Sequence, residues 1–283
     1  MHSCPGPQLQ KKNYRMQDKI LIVIQARMSS SRLPGKVLLP LLGKSLLVRM
    51  AERVRGTRYP ATLMIATSTD ASDDAIEQEA RAHDIACCRG SLHNLLDRHY
   101  QAARLAGADL ILKIPSDCPL IDPAIIDEAL DLFYESGGRY DYVSNLHPAT
   151  FPDGNDVEIM TRGCLERAWR EARKPWELEH TTPYIWEHPE RFRIGNLEWK
   201  TGLDLSMSHR FTIDYPEDYE FILSVFRKLY PVKPAFSCND ILQLLEDQPG
   251  LYAVNAAYAG VNWYRNHLEH LKTIRPEQTK LLS

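Results

Sequence analysis

The chain has 283 residues, with 34 Lys and Arg against 37 Asp and Glu, a formal net charge of −3. A nucleic-acid binder carries a surplus of cations, because phosphate neutralisation supplies most of its affinity; that class is excluded here, and any anion site must be local. The longest aliphatic run, Ile20 to Ile24, falls far short of the roughly 20 apolar residues that cross a bilayer, so no membrane partner is expected.

Residues Met1 to Asp18 carry scattered charges and no apolar core, which predicts a loose tail rather than a secretory signal. Ile20 to Gln25 reads as a fully buried strand, and Leu46 to Arg55 as a helix capped by Ser45. Leu63 to Thr67 is a second strand. The helix Asp73 to Ala82 follows, with Ser72 as its cap and Asp73 and Asp74 in the first turn, where they complement the helix dipole. Ile85 to Cys88 is a short strand, Asn94 to Leu105 a helix stopped by Gly107, and Leu110 to Ile114 a strand. This alternation predicts an α/β fold with a mostly parallel, Rossmann-like sheet.

Asp122-Pro123 opens another helix, and the rhythm breaks at Gly137-Gly138. Strands are expected at Tyr142 to Asn145 and Val157 to Met160, around the turn Pro152-Asp153-Gly154-Asn155, with a helix at Arg162 to Ala172. Trp176 to Arg193 mixes aromatic, His and Pro residues without a period, and residues 140–200 read as an insertion for substrate or partner contact. A strand at Arg210 to Ile213 and helices at Glu217 to Tyr230, Asp240 to Glu246 and Tyr264 to Leu271 complete the pattern. The organisation is a tail to residue 18, a main domain over 19–235 and a helical extension over 236–283. The six cysteines form no CxxC pair and are too few for a disulfide scaffold, so reduced thiols and a cytoplasmic location are expected.

Three segments carry chemistry. Ala26 to Lys36 follows the first strand and holds Arg27, Arg32 and Lys36, three serines, Gly35 and no acid, the makeup of a polyphosphate cradle beyond a strand's carboxyl end. It is neither a P-loop nor a dinucleotide fingerprint. Asp117 and Asp214 each lie just past a predicted strand, where hard oxygen ligands suit Mg²⁺ bound together with phosphate oxygens. Glu158 and His180 are acceptor-side candidates by position. Trp169, Trp176, Tyr184 and Trp186 could serve as core, pocket or dimer contact.

In order, QARMSSSRLPGK, SDCPLIDP, YDYVSN with PDGNDVE, EHTTPYI and RFTIDYPEDYEF resemble the cytidylyltransferases that activate acidic sugars. These include the acylneuraminate and 3-deoxy-manno-octulosonate enzymes and the spore coat polysaccharide branch. The resemblance implies a nucleotide-diphospho-sugar transferase type of fold with a small dimerisation or substrate arm, and transfer of CMP from CTP to an acidic sugar or other anionic acceptor. It implies that Arg27, Arg32 and Lys36 hold the triphosphate, with Gln25, Ala26, Ser29, Thr67, Arg89, Gly90 and Ser91 around the nucleotide. Asp117 and Asp214 would hold Mg²⁺, with Arg27, Lys36 and Asp117 catalytic. Asn145, Asp156, Glu158, Glu179 and His180 would face the acceptor, in a homodimer. A phosphonate, amino-acid-derived or polyol phosphate acceptor stays open, as does a nucleotide-sugar-dependent glycosyltransferase, although no two aspartates stand in D-x-D spacing.

Overall fold

The computed structural model describes residues 18–282, so the expected tail, apart from Asp18, lies outside the described residues. The strands are β1 (Ile20–Gln25), β2 (Pro40–Leu41), β3 (Lys44–Ser45), β4 (Ala61–Ser68), β5 (Ala86–Gly90), β6 (Leu110–Pro115), β7 (Tyr142–Ser144), β8 (Glu158–Thr161) and β9 (Ile194–Asn196). Seven of them form one sheet in the order β5-β4-β1-β6-β8-β7-β9, and β2 and β3 form a separate hairpin. β1 pairs in parallel with β4 on one side and β6 on the other, with Ile24 opposite both Ile65 and Ile114. β8 runs antiparallel to β6. The aliphatic run of β1 makes it a central strand, because helices cover both faces of the sheet.

Alternation along β1 divides the core. Ile20, Ile22 and Ile24 face a layer that includes Met50 of α1 (Leu46–Val54), Ile126 of α4 (Pro123–Glu135) and Phe221 of α8 (Pro216–Leu229). Leu21 and Val23 face a layer with Leu96 of α3 (Leu95–Ala106) and Leu165 of α5 (Arg162–Glu171). The middle region supplies β7, β8 and β9 to the sheet, and its α6 (Pro175–His180) and α7 (Pro183–Trp186) pack beyond α3 and α5. Past residue 235, Phe236 and Ile241, the latter on α9 (Cys238–Asp247), join the β1 core; α10 (Pro249–Tyr252) follows. No helix among the described residues is long and apolar enough to cross a membrane.

Three local expectations are corrected. α2 (Asp74–Ala82) follows a 3₁₀ turn, and Asp70, not Ser72, caps that turn by accepting the Ser72 N–H at 2.9 Å. Asp73 does not lie on the surface of a first turn but is fully buried. Arg210 to Ile213 is no sheet strand, since its partners are loops: Phe211 N–H donates to the Asp153 carbonyl at 2.7 Å and Ile213 N–H to the Asp117 carbonyl at 2.9 Å. Tyr264 to Leu271 is a short 3₁₀ turn at Trp263–Asn266 followed by further turns, because its rings are taken up by stacking on α6 and α7.

Gly154 lets the Pro152 to Asp156 turn dock on Phe211 and Thr212. Its φ is +102°, and a Cβ there would sit 2.6 Å from the Phe211 carbonyl carbon and the Thr212 nitrogen. Gly154→Ala combines backbone strain with overpacking and is expected to cost about 2–4 kcal/mol, read as a lower urea midpoint.

Candidate active site

The chain runs from β1 out to β4 and β5 and then returns to β6 on the other side of β1. At such a reversal the loops leaving two neighbouring parallel strands diverge and leave a crevice beyond their carboxyl ends. A cleft of about 1620 Å³ lies there, lined by Gln25 and Ala26 at the end of β1, Ser116 and Asp117 after β6, and residues of α6 and the C-terminal segment. That exceeds the roughly 300–1,000 Å³ of ordinary ligand pockets and suits two substrates side by side.

The basic loop is anchored from below. Asp73 accepts Met28 N–H at 2.7 Å and Ser68 N–H at 3.1 Å, and Gly35, at φ 71°, donates to the Met28 carbonyl at 3.0 Å. Lys36 is buried, its ammonium 2.5 Å from the Ile213 carbonyl, 2.9 Å from Asp214 and 3.6 Å from Asp117. Arg32 reaches Asp214 at 2.6 Å. Burial pushes the Asp214 carboxyl up, yet Lys36 and Arg32 outweigh it and hold the group at about 2. Arg27 is half-exposed, 3.6 Å from Glu179, a pairing too solvated to hold either side chain firmly.

Behind Asp214 stands Arg210, whose side chain is fully buried. It donates to both oxygens of Asp218 at 2.8 and 3.0 Å, to Asp214 at 3.2 Å and to Asp153 at 3.3 Å. Burial disfavours its charge, but its carboxylate partners keep it more firmly protonated than usual. Asp153 and Asp156 are pushed up, Asp156 to about 7, first by loss of water and then by like charge, from Asp117 in the case of Asp156. Asp117, Asp153 and Asp156 thus bring carboxyl groups together on this side of the cleft. Asp117 is the available ligand: its Oδ1 meets only the Cys118 thiol, at 3.7 Å, and its side chain is 34% exposed. Among the described residues no group of three or more His, Cys, Asp or Glu is arranged to hold a metal, so a cation here needs oxygens from a substrate.

Of the expected nucleotide residues, Gln25, Ala26, Arg27, Arg32 and Lys36 line the cleft, as do Asp117 and Asp214. Ser29, Thr67, Arg89, Gly90 and Ser91 do not. Arg89 is neutralised by Asp74 at 2.6 Å and Glu77 at 3.0 Å, tying β5 to α2. Thr67 is fully buried, Ser29 points to solvent, and Ser91 accepts Asn94 N–H in the turn before α3. Gly90 makes room instead: a Cβ would meet the Arg98 stem at 2.8 Å.

On the acceptor side, Asn145, Asp156, Glu158, Glu179 and His180 all line the cleft. The Asn145 amide is committed to its own loop, accepting Val157 N–H and donating to the Asn155 carbonyl. Burial would raise Glu158, but its ion pair with Lys113 and a bond from the Tyr142 hydroxyl keep it ionised. His180 stacks on Trp263 at 3.7 Å, and burial lowers it to about 3, so its ring is neutral.

Sequence reasoning missed Arg98. Leu95, Arg98, His99 and Ala102 share the buried face of α3, and a cation at that spacing was the available signal. Its guanidinium lines the cleft, donates to the Ala66 carbonyl at 3.3 Å and leaves Nε unpartnered; burial and then Arg27 lower it to about 10. Gln25 Oε1 is likewise buried and unpartnered.

A mostly parallel sheet with a basic loop and facing carboxylates at its reversal point defines a nucleotidyltransferase. The cytidylyltransferase family model matches residues 21–247, and the chain belongs to that family. It is 33% identical to the spore coat polysaccharide biosynthesis protein of Bacillus subtilis, over 81% of this chain and 95% of that protein. It is 37% identical to the 3-deoxy-manno-octulosonate cytidylyltransferase of Solibacter usitatus, over 75% and 96%. A solved cytidylyltransferase structure from Leptospira borgpetersenii superposes with a TM-score of 0.78 at 34% identity, over 83% of this chain and 97% of that one.

Arg210→Met leaves three carboxylates facing one another without their shared cation, and is expected to cost about 3–5 kcal/mol in urea unfolding at pH 7. Asp156 titrates at about 7 in the fold against 3.8 for a free carboxyl, so its contribution is full below pH 4 and lost as pH rises through 7. Asp156→Asn should therefore raise the melting temperature of the ligand-free protein at pH 8 and change it little below pH 4.

Proposed function

We propose that this enzyme transfers the cytidylyl group of CTP to an anionic sugar acceptor and releases pyrophosphate, in the building of a surface polysaccharide. The observation that carries the reading is the meeting of Arg27, Arg32 and Lys36 with Asp117 and Asp214 across one cleft. An acceptor oxygen attacks the α-phosphorus in line, the bond from that phosphorus to the bridging oxygen breaks, and pyrophosphate leaves with the electron pair. Phosphoryl-type transfer asks the protein mainly for position and charge neutralisation. Arg27, Arg32 and Lys36 bind the phosphates and stabilise the charge developing on the leaving pyrophosphate.

The oxygen donors suit Mg²⁺, which Asp117 and Asp214 would hold together with oxygens of the substrate. An ion held there would supply Lewis-acid neutralisation of the phosphate oxygens. Gln25 and Arg98 supply the unpartnered atoms on the nucleotide side. His180 at about 3 is too weakly basic to take a proton near neutral pH, which favours an acceptor that is already an anion or loses its proton to water. Family resemblance also favours a homodimer, which the mass in solution checks.

With Mg²⁺ present, CTP should raise the melting temperature well above any rise with UTP, ATP or GTP, since stabilisation follows occupancy. Asp117→Asn should lower kcat/KM for pyrophosphate release by about 10²–10³-fold, on the order of 3–4 kcal/mol of transition-state stabilisation. A variant within twofold of wild type would remove Asp117 from the mechanism.

A further inference from the structure

The family match ends at Asp247, yet the chain beyond it forms one wall of the cleft. That wall is built in rather than draped. Asn255 donates to the Arg210 carbonyl at 2.9 Å and to Asp218 at 3.0 Å, and Arg210 donates back to the Val261 carbonyl at 3.0 Å. Glu187, after α7, accepts Lys272 N–H at 2.7 Å, Thr273 N–H at 2.9 Å and the Thr273 hydroxyl at 2.6 Å.

What the wall presents is a set of rings. Trp263 lies flat on His180, with ring centres 3.7 Å apart and planes 15° apart; Tyr264 meets it edge-on and Trp186 lies tilted to it. Arg275 also lines the cleft, and it forms no ion pair among the described residues. Aromatic rings and a guanidinium without an ion pair, lining one cleft, suit a sugar ring that carries an anionic group, because the ring's C–H face packs on aromatics while the guanidinium takes the charge.

We propose that the segment after Asp247 is the acceptor-selecting wall of this enzyme, in which Trp263 positions His180 against an acidic sugar and Arg275 receives its carboxylate. The inference rests on the cytidylyl-transfer reading for the identity of the second substrate. Trp263 is a positioning residue. It acts by fixing the orientation of the His180 ring, and Phe in its place retains a flat partner.

The test uses the full chain and Trp263→Ala, Trp263→Phe, Arg275→Ala and Arg275→Lys. Binding of a panel of sugar acids and sugar phosphates is read directly by ligand-observed NMR, and CTP affinity separately by calorimetry without acceptor. The expected result is that wild type binds a sugar acid, Trp263→Ala and Arg275→Ala weaken it at least tenfold, and Trp263→Phe and Arg275→Lys recover most of it. CTP affinity stays within twofold throughout. Sugar-acid binding unchanged in Trp263→Ala, preference for sugar phosphates over sugar acids, or a parallel loss of CTP affinity would overturn the proposal. A wild-type chain that binds a sugar acid in this wall-dependent way but not CTP would uphold the wall and sink the cytidylyl reading.

Discussion

One buried guanidinium governs the geometry of the whole cleft. Arg210 has no exposed side-chain surface and shares its protons among Asp218, Asp214 and Asp153, which arrive from α8, from the loop before it and from the Gly154 turn. None of these acids could be placed so far from water without the cation, nor the cation without them. The same group donates to the Val261 carbonyl, so the C-terminal segment is fixed to the same point as the carboxylates. Position in the site is thereby set by a charge cluster as well as by the ends of β1 and β6.

The cleft carries charges of both signs. Arg98, Arg27, Arg32 and Lys36 line it together with Asp117, Asp156 and Asp153. Lys36 and Asp214 are the seam, each neutralising the other. A chain with nearly balanced charge overall thus gathers both signs in one cleft, where they meet at Arg32–Asp214 and Lys36–Asp214. The aromatic wall, with His180 held neutral at about 3 and His147 at about 4, adds little charge of its own.

Much of this was legible in the sequence because short range and long range agree there. The run Ile20 to Ile24 can only be a buried strand, Asn94 and Gly107 punctuate α3 by their own hydrogen bonding and φ, and the basic loop sits where such loops bind anions. Errors arose where tertiary partners overrode local pattern. Phe211 and Ile213 alternate like a strand and are buried like one, but their backbone bonds go to Asp153 and Asp117. Arg89, expected beside the nucleotide, is instead taken up by Asp74 and Glu77 once they are folded beside it. Arg98 was hidden because a cation on an apolar helix face reads as a surface residue until the face is known to be buried. Trp263 carries no local signal at all, since its partner His180 is over eighty positions away.

Asp73, withdrawn into the core under the basic loop, has a kinetic meaning. By accepting Met28 N–H and the Ser68 N–H it ties the start of the loop to the end of β4 in the folded chain. The entropy of ordering that backbone is therefore not charged to the encounter with ligand. With the start of the loop so tied, what remains movable is the long side chains it carries, which reorient on the nanosecond scale.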